Sequence, residues 1–341
     1  MRLAITGCGE ISYYTVLAAR LNRRIRLTAC ADPREARRSL FARRFGISRT
    51  YPSQEEMLAA EQPDALYLAV PHDLHRPLIA EAAKAGAAVL SEKPLARSAR
   101  EGAEIIAHLR ANNARAAVNY QWRYDARCRA LINSCRSGAV GTVRYIRIHL
   151  PWLRNAGYFT AAPWHGSRER AGGGTLLTQG SHPLDIALQA CPSRPRSARG
   201  LCRSLLFQDA EVEDTAFGLL ECAGGEIIEI CSSMASPPER PVVIEVQGST
   251  GAVRYRGPKW PQLRWFGGNR RLRRRGRPVF SEFDPLYGSL EGFRRWVSGG
   301  EPHRCRAEEA LPVLQAVDGI YAAALVGGEA PIPGSDSEPG T

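Results

Sequence analysis

Over the first 120 residues, short apolar runs alternate with amphipathic stretches. Leu3–Thr6, Arg26–Ala31, Ala65–Val70, Ala87–Ser91 and Ala116–Tyr120 have the length and composition of buried strands. Between them, Leu74, Leu78, Ile79 and Ala82 recur at helical spacing, as do Ala99, Ala103, Ile106 and Leu109. Strands alternating with helices predict a doubly wound parallel α/β sheet, because a parallel pair needs a crossover that covers one sheet face. After about residue 121 the rhythm changes. One helix is expected over Tyr124–Ser137, followed by β-type runs at Val143–Leu150, Ala216–Glu221, Glu226–Ser232 and Val242–Gln247. Ala223-Gly224-Gly225 reads as a hairpin turn. These strands, with few helices between them, predict a second domain with a mixed or antiparallel sheet. A helix returns over 306–326, with Ala310, Leu314, Val317, Tyr321 and Ala324 on one face. The expected division is 1–120, 121–332 and a disordered tail over 333–341, rich in Pro, Gly, Ser and Glu.

Composition adds exclusions. Hydrophobic residues make up 44% and charged residues 23% of the 341, as in ordinary folded domains. No run of 18 or more apolar residues occurs, so no membrane span is expected. Nor is there a secretory leader, which points to the cytoplasm. The nine cysteines include no CxxC pair, so neither a metal site nor a redox motif is expected. A net charge of +12 raises anionic partners. Yet only three of the 46 basic residues are lysine (Lys84, Lys93, Lys259), a bias of the kind a GC-rich genome produces. Each lysine is therefore informative, since lysine loses its proton near neutrality far more readily than arginine.

Chemistry begins at the N-terminus. Gly7-Cys8-Gly9-Glu10-Ile11-Ser12 follows the first strand and opens a helix in the pattern G-x-G-x-x-S. The first glycine permits a tight turn and the second lets backbone approach a pyrophosphate. A small third residue packs helix on strand. The helix start then offers N–H groups to the phosphates. Asp32 closes the second strand, where a carboxylate accepts from the ribose hydroxyls of NAD and repels a 2′-phosphate. Arg34, two residues on, would favour that phosphate, so NADP remains the alternative cofactor.

Two further segments stand out. Ser91-Glu92-Lys93-Pro94 follows the strand Ala87–Ser91, at the sheet edge where ligands sit in open α/β folds. The stretch Gly172-Gly173-Gly174-Thr175-Leu176-Leu177-Thr178-Gln179-Gly180-Ser181-His182-Pro183-Leu184-Asp185 brings a histidine and an aspartate after a triple glycine. Together with the N-terminal motif and Val70-Pro71-His72-Asp73-Leu74-His75, these segments resemble the glucose–fructose oxidoreductase/inositol dehydrogenase (Gfo/Idh/MocA) family from Met1 to about Pro331.

That resemblance implies a Rossmann domain followed by an open-faced α/β domain whose sheet forms the contact of a homodimer or homotetramer. It implies that Lys93 and His182 lie near the reacting carbon. It adds Pro71, His75, Glu92 and Gln121 to the cofactor side, and Trp122 and Arg123 to the substrate side. Pro151-Trp152-Leu153-Arg154, Tyr158 and Trp164-His165 resemble the branch acting on pyranosides and nucleotide-linked sugars, some members of which oxidise C3. Aromatic rings suit the apolar face of a sugar, and Arg154 suits its oxygens. One departure is Thr178, where many members carry Asp or Asn. Threonine hydrogen-bonds but bears no charge, which leaves Asp185 as a substitute in a proton relay. Pro183 sets two alternatives: a kinked continuous helix, or a new helix with Pro183 at its first position.

The expected function is thus oxidation of a secondary hydroxyl on a sugar, glycoside, sugar nucleotide or cyclitol. His182 serves as base. Lys93 holds the oxygen, its pKa lowered beside the cationic nicotinamide ring, and the reverse assignment stays open. Reduction of a keto-sugar is the same chemistry run backwards. A different class, a cofactor-sensing or nucleic-acid-binding protein, rests on Arg270, Arg271, Arg273, Arg274, Arg275 and Arg277. No interleaved aromatics or nucleic-acid motif accompany that run, so nucleic acid is not the expected partner.

Overall fold

The computed structural model describes residues 1–258, 262–269 and 284–334. The arginine run 270–277 and positions 335–341 of the expected tail lie outside these residues. Contacts divide the chain into two compact units. The first holds the described residues of Met1–Ala96, Arg100–Asp125 and Val279–Leu311. The second holds those of Arg97–Ala99, Ala126–Pro278 and Pro312–Thr341.

The first unit is a six-stranded sheet: β1 (Arg2–Thr6), β2 (Arg26–Ala31), β3 (Arg49–Tyr51), β4 (Ala65–Leu68), β5 (Ala88–Ser91) and β6 (Ala116–Val118). Their order is β3-β2-β1-β4-β5-β6 and every pair is parallel, the doubly wound arrangement. The crossovers are α1 (Glu10–Leu21), α2 (Glu35–Phe45), α3 (Gln54–Glu61), α4 (His75–Lys84) and α5 (Ala99–Ala111). Leu3, Ile5, Tyr67 and Leu90 of the strands are buried with Val16, Phe41 and Phe45 of the helices.

Beyond the second unit's strands, Pro285–Val297 forms a helix that the strand–helix rhythm does not announce. Its local signal is clear in retrospect: Asp284 caps it by accepting from the Leu286 and Tyr287 N–H groups, and Pro285 occupies its first turn. Leu290 and Phe293 join the first unit's core. Glu291 accepts from Asn22 Nδ2 at 2.6 Å, tying the helix to the end of α1. A split at residue 120 into consecutive stretches makes no place for this returning helix.

The second unit carries α6 (Ala126–Arg136), α7 (Gly157–Thr160), α8 (Arg168–Ala171), α9 (Thr175–Thr178) and α10 (Ser181–Ala190). Its strands are β7 (Val143–Pro151), β8 (Pro195–Arg203), β9 (Thr215–Cys222), β10 (Ile227–Ser233), β11 (Val242–Gly248), β12 (Gly251–Gly257), β13 (Gln262–Gly267) and β14 (Glu329–Pro331). The order is β13-β12-β11-β7-β10-β9-β8-β14. β7 and β10 pair in parallel while the remaining pairs are antiparallel, so the sheet is mixed. Gly225, at φ +86°, turns the hairpin between β9 and β10, as expected.

From Ala216 to the end of β9 exposure alternates, leaving Phe217 and Leu219 outside while Ala216 and Leu220 are buried. Numbering the helix Pro285–Val297 as α11, α12 runs over Ala307–Val326. α12 is long and apolar enough to cross a membrane, although no continuous apolar run reveals this. Leu314, Val317 and Ile320 are fully buried, and Ile320 lies against Gly200 of β8 and Gly218 of β9.

Candidate active site

In the first unit, β1 ends in the glycine turn. Gly7 has φ +92°, and a Cβ there would meet the Ala69 carbonyl oxygen at 2.1 Å, so only glycine fits. Gly9 caps α1 in extended backbone with no side-chain cap, and a Cβ on it would meet nothing within 4 Å. With no side chain at the cap, backbone can approach a ligand closely where the first-turn N–H groups of α1 begin, as pyrophosphate binding requires. Ser12 is buried, its hydroxyl donating to the Gly7 carbonyl at 2.5 Å, so the third motif position braces the turn. Asp32 accepts from the Cys8 N–H (3.1 Å) with one oxygen and the Arg34 N–H (2.9 Å) with the other. These bonds fix the carboxylate beside the turn. An open cleft lined by Gly9, Glu10, Tyr13, Ala36 and Arg37 adjoins it, about 500 Å³ in volume.

Lys93 is half-buried just past β5, next to Glu92. Glu92 is positioned by three donors: the Tyr67 hydroxyl (2.5 Å), Asn119 Nδ2 (2.7 Å) and the Lys93 N–H (3.4 Å). The Ser289 hydroxyl in turn donates to Asn119 Oδ1 at 2.7 Å. Burial, followed by the Glu92 charge, pushes the Tyr67 phenol well above its ordinary range, so it stays a donor. Pro71 precedes a 3-10 turn over His72–Leu74. His75 is fully buried, its Nδ1 lying 2.9 Å from the Pro94 carbonyl and its Nε2 3.2 Å from that of Val70. Burial lowers its pKa, and the ring ties these loops together.

Gln121, Trp122 and Arg123 form a 3-10 turn over Gln121–Tyr124. Arg123, expected on the substrate side, is buried. Its guanidinium donates to the carbonyls of Arg304 (2.6 Å) and Glu309 (3.0 Å) and pairs with the Glu309 carboxylate. Those bonds make it a strut of the first unit. Trp122 is likewise buried.

In the second unit the triple glycine is a packing requirement. A Cβ on Gly173 would meet the Tyr321 hydroxyl at 2.1 Å, and one on Gly174 the Glu213 carbonyl at 1.8 Å. Glu213, which no motif singles out, organises the segment. Its carboxyl accepts from Gly174 N–H (2.9 Å), Leu176 N–H (3.0 Å) and the Tyr321 hydroxyl (2.8 Å). Burial pushes its pKa up, only partly offset by those donors.

The helix after the glycines breaks, but at Gln179-Gly180 rather than at Pro183. α9 ends at Thr178 and α10 opens at Ser181. Pro183 is the third residue of α10, where a missing N–H costs no helical bond. Thr178 Oγ1 lies 2.6 Å from both the Gly174 carbonyl and Gln179 Oε1. A hydroxyl donates there, whereas a carboxylate would face two acceptors. His182 stands in the first turn of α10, nine per cent exposed, and Asp185 is buried one turn on.

Gln179 Nε2 reaches the Tyr158 hydroxyl at 3.2 Å. This bond links the histidine segment to an aromatic set. Tyr158 and His165 stack at 4.2 Å with their ring planes nearly parallel, and Trp164 packs on His165 at 4.0 Å. Arg154 lies over the Trp152 and Tyr158 rings and pairs with Glu239 at 3.7 Å.

Residues 1–120 match the model of the oxidoreductase family with an NAD-binding Rossmann fold, and residues 126–254 that of the GFO/IDH/MocA C-terminal domain. The chain belongs to the Gfo/Idh/MocA oxidoreductase family.

Among its relatives is D-xylose 1-dehydrogenase (NADP(+)) 2 of Haloferax volcanii, 27% identical, with 96% of this chain and 98% of that one covered. D-apiose dehydrogenase of Paraburkholderia graminis is also 27% identical, over 95% and 88%. The WlbA dehydrogenase of Bordetella pertussis, solved with NADH and UDP-GlcNAcA, superposes with a TM-score of 0.89. It shares 25% identity over 98% of both chains.

As a Gfo/Idh/MocA oxidoreductase the protein binds NAD through its first unit. Gly7, Gly9 and Asp32 fit that cofactor: a turn closed by glycine, open space at a helix start, and a fixed carboxylate. Sequence reasoning gave no role to Glu213, Tyr321, Gln179, Tyr67 and Asn119, because their importance comes from partners distant along the chain. The one available signal was the charged Glu211-Val212-Glu213-Asp214 run immediately before a strand.

Proposed function

We propose that this oxidoreductase oxidises a secondary hydroxyl of a pyranose, as a glycoside or sugar nucleotide, with C3 as the reacting carbon. The observation that carries this reading is the Gln179–Tyr158 bond, which couples the stacked rings of Tyr158, His165 and Trp164 to the segment bearing His182. Stacked rings complement the apolar face of a sugar, and Arg154 complements its oxygens or a carboxylate. The relatives named for D-xylose and D-apiose favour a sugar substrate, and the WlbA complex with UDP-GlcNAcA favours a nucleotide-linked one.

The bound nicotinamide supplies the hydride acceptor. His182 takes the hydroxyl proton, a role for which an imidazole nitrogen is chemically suited. Lys93 holds and polarises the oxygen, with Glu92, fixed by Tyr67 and Asn119, setting the backbone on which Lys93 stands. Thr178 steadies α9 through the Gly174 carbonyl. Keto-sugar reduction is the same reaction reversed.

The open face of the second sheet carries Leu201, Phe217, Leu219 and Ile227 exposed, and we assign the homo-oligomer contact to it. The test is transfer of deuterium. Glycosides labelled at C3 should pass deuterium to C4 of NAD, while label at other carbinol carbons should stay in the sugar. Delivery from another carbon overturns the C3 assignment, and no turnover across a broad sugar panel overturns the substrate class.

A further inference from the structure

The nine cysteines show no metal-binding spacing, yet the fold of the second unit brings two of them together with a carboxylate. Cys191 ends α10, Cys222 ends β9, and Glu226 lies just past the hairpin turn. One ligand atom from each lies within 4.8 Å of the others, and all three residues are buried. The Cys191 and Cys222 sulfurs are 3.6 Å apart. Two thiolates bound to one tetrahedral zinc ion, each at about 2.3 Å, stand about 3.8 Å apart, so the pair already has nearly the required separation.

The carboxylate is oriented. The Gly224 N–H donates to Ser193 Oγ at 2.8 Å, which leaves the hydroxyl proton for Glu226 Oε2. That is the pattern of an outer partner aligning a metal ligand. Cys191 and Glu226 keep 9% and 7% of their surface, while Cys222 keeps none, so the cluster lies just beneath the surface.

We propose that Cys191, Cys222 and Glu226 form a site for a borderline-soft divalent cation, zinc, with the fourth position taken by solvent. Two thiolates and a carboxylate form a donor set suited to zinc rather than to magnesium or calcium, which prefer oxygen. Bound there, the ion clips the far end of α10 to the β9–β10 hairpin. His182 stands in the first turn of the same helix, so the clip would set that helix against its sheet. The site belongs wholly to the second unit and needs no catalytic role. It does not depend on the substrate assignment above.

The experiment uses the full-length reduced protein, stripped with chelator and then titrated with Zn²⁺, or with Co²⁺ as a spectroscopic stand-in. The expected result is about one ion per chain, with a sulfur-to-cobalt charge-transfer band and tetrahedral visible bands that zinc displaces. Cys191→Ser and Cys222→Ser should each abolish the band. Ser193→Ala, which keeps all three ligands, should weaken affinity about 10–100-fold, as loss of an outer partner does. The wild-type spectrum alone decides the question if a cysteine variant misfolds. Binding without charge-transfer absorption, equal binding by the Cys191→Ser/Cys222→Ser double variant, or no uptake by the reduced protein each overturns the proposal. So does isolation of the chain with these two cysteines as a disulfide that, once reduced, takes up no metal.

Discussion

Replacing Glu213 with alanine should destabilise the second unit and slow turnover without touching cofactor affinity. Three buried donors end on this one carboxyl: Gly174 N–H, Leu176 N–H and the Tyr321 hydroxyl. Each donor left unpaired in the interior costs about 1–3 kcal/mol. Partial relaxation and entering water offset some of that, so a loss of about 4 kcal/mol is expected. At roughly 2–4 °C per kcal/mol, this lowers the melting temperature by about 8–16 °C.

Glu213→Gln keeps the volume and one acceptor and should cost about 1–2 kcal/mol. It also isolates the pH effect. Burial holds the Glu213 pKa above its ordinary 4.5 in the folded protein. Its contribution is therefore complete below pH 4.5 and fades as pH rises through the folded value. The glutamine variant should lose that part of the pH dependence. Thermal unfolding across pH, kcat, and calorimetric NAD affinity are the measurements. Glu213 belongs to the second unit and the glycine turn to the first, so NAD affinity should stay within about twofold while kcat falls about tenfold or more. A stability loss below about 1 kcal/mol for Glu213→Ala would refute the reasoning.

Other outcomes follow from the same geometry. Asp32→Ala should erase most of a preference for NAD over NADP, and calorimetry showing tighter NADP binding to the unaltered protein would contradict the role given to that carboxylate. Lys93→Ala should lower kcat strongly with an unchanged circular dichroism spectrum, and Lys93→Arg should rescue little; near-normal turnover in either removes Lys93 from the mechanism. His182→Ala should depress kcat and flatten the acid limb of the pH profile, and an unaltered limb would point to another base. Burial would raise Glu291, but Arg294, Asn22 and Arg295 outweigh it and hold its pKa down at about 2. Its contribution is then present above the ordinary 4.5 and lost as pH falls toward 2. Glu291→Gln should show a flatter acid limb of thermal stability than wild type, and identical limbs would exclude the interaction.

The sequence by itself determined the parallel sheet and the glycine turn, and it singled out Asp32, Lys93 and the segment carrying His182. These are local signals: a strand's apolar run, a turn that admits only glycine, a carboxylate at a strand end. Tertiary structure decided what such signals do not contain. β8, Pro195–Arg203, is so rich in arginine that its alternation is invisible until one face is covered. α11 lies far along the chain from the unit whose core it completes, and only Leu290 and Phe293 meeting that core reveal its membership. Arg123 and His75 looked like ligand contacts by position, but buried carbonyls claim their side chains. Glu213 and Tyr321 are 108 residues apart and share one hydrogen bond beneath the glycines. Cys191 and Cys222 are separated by 31 residues and meet only because a helix end and a hairpin pack together. Periodicity and motif spacing record which backbone a residue prefers. Which distant atoms satisfy a buried polar group is set by the folded packing alone.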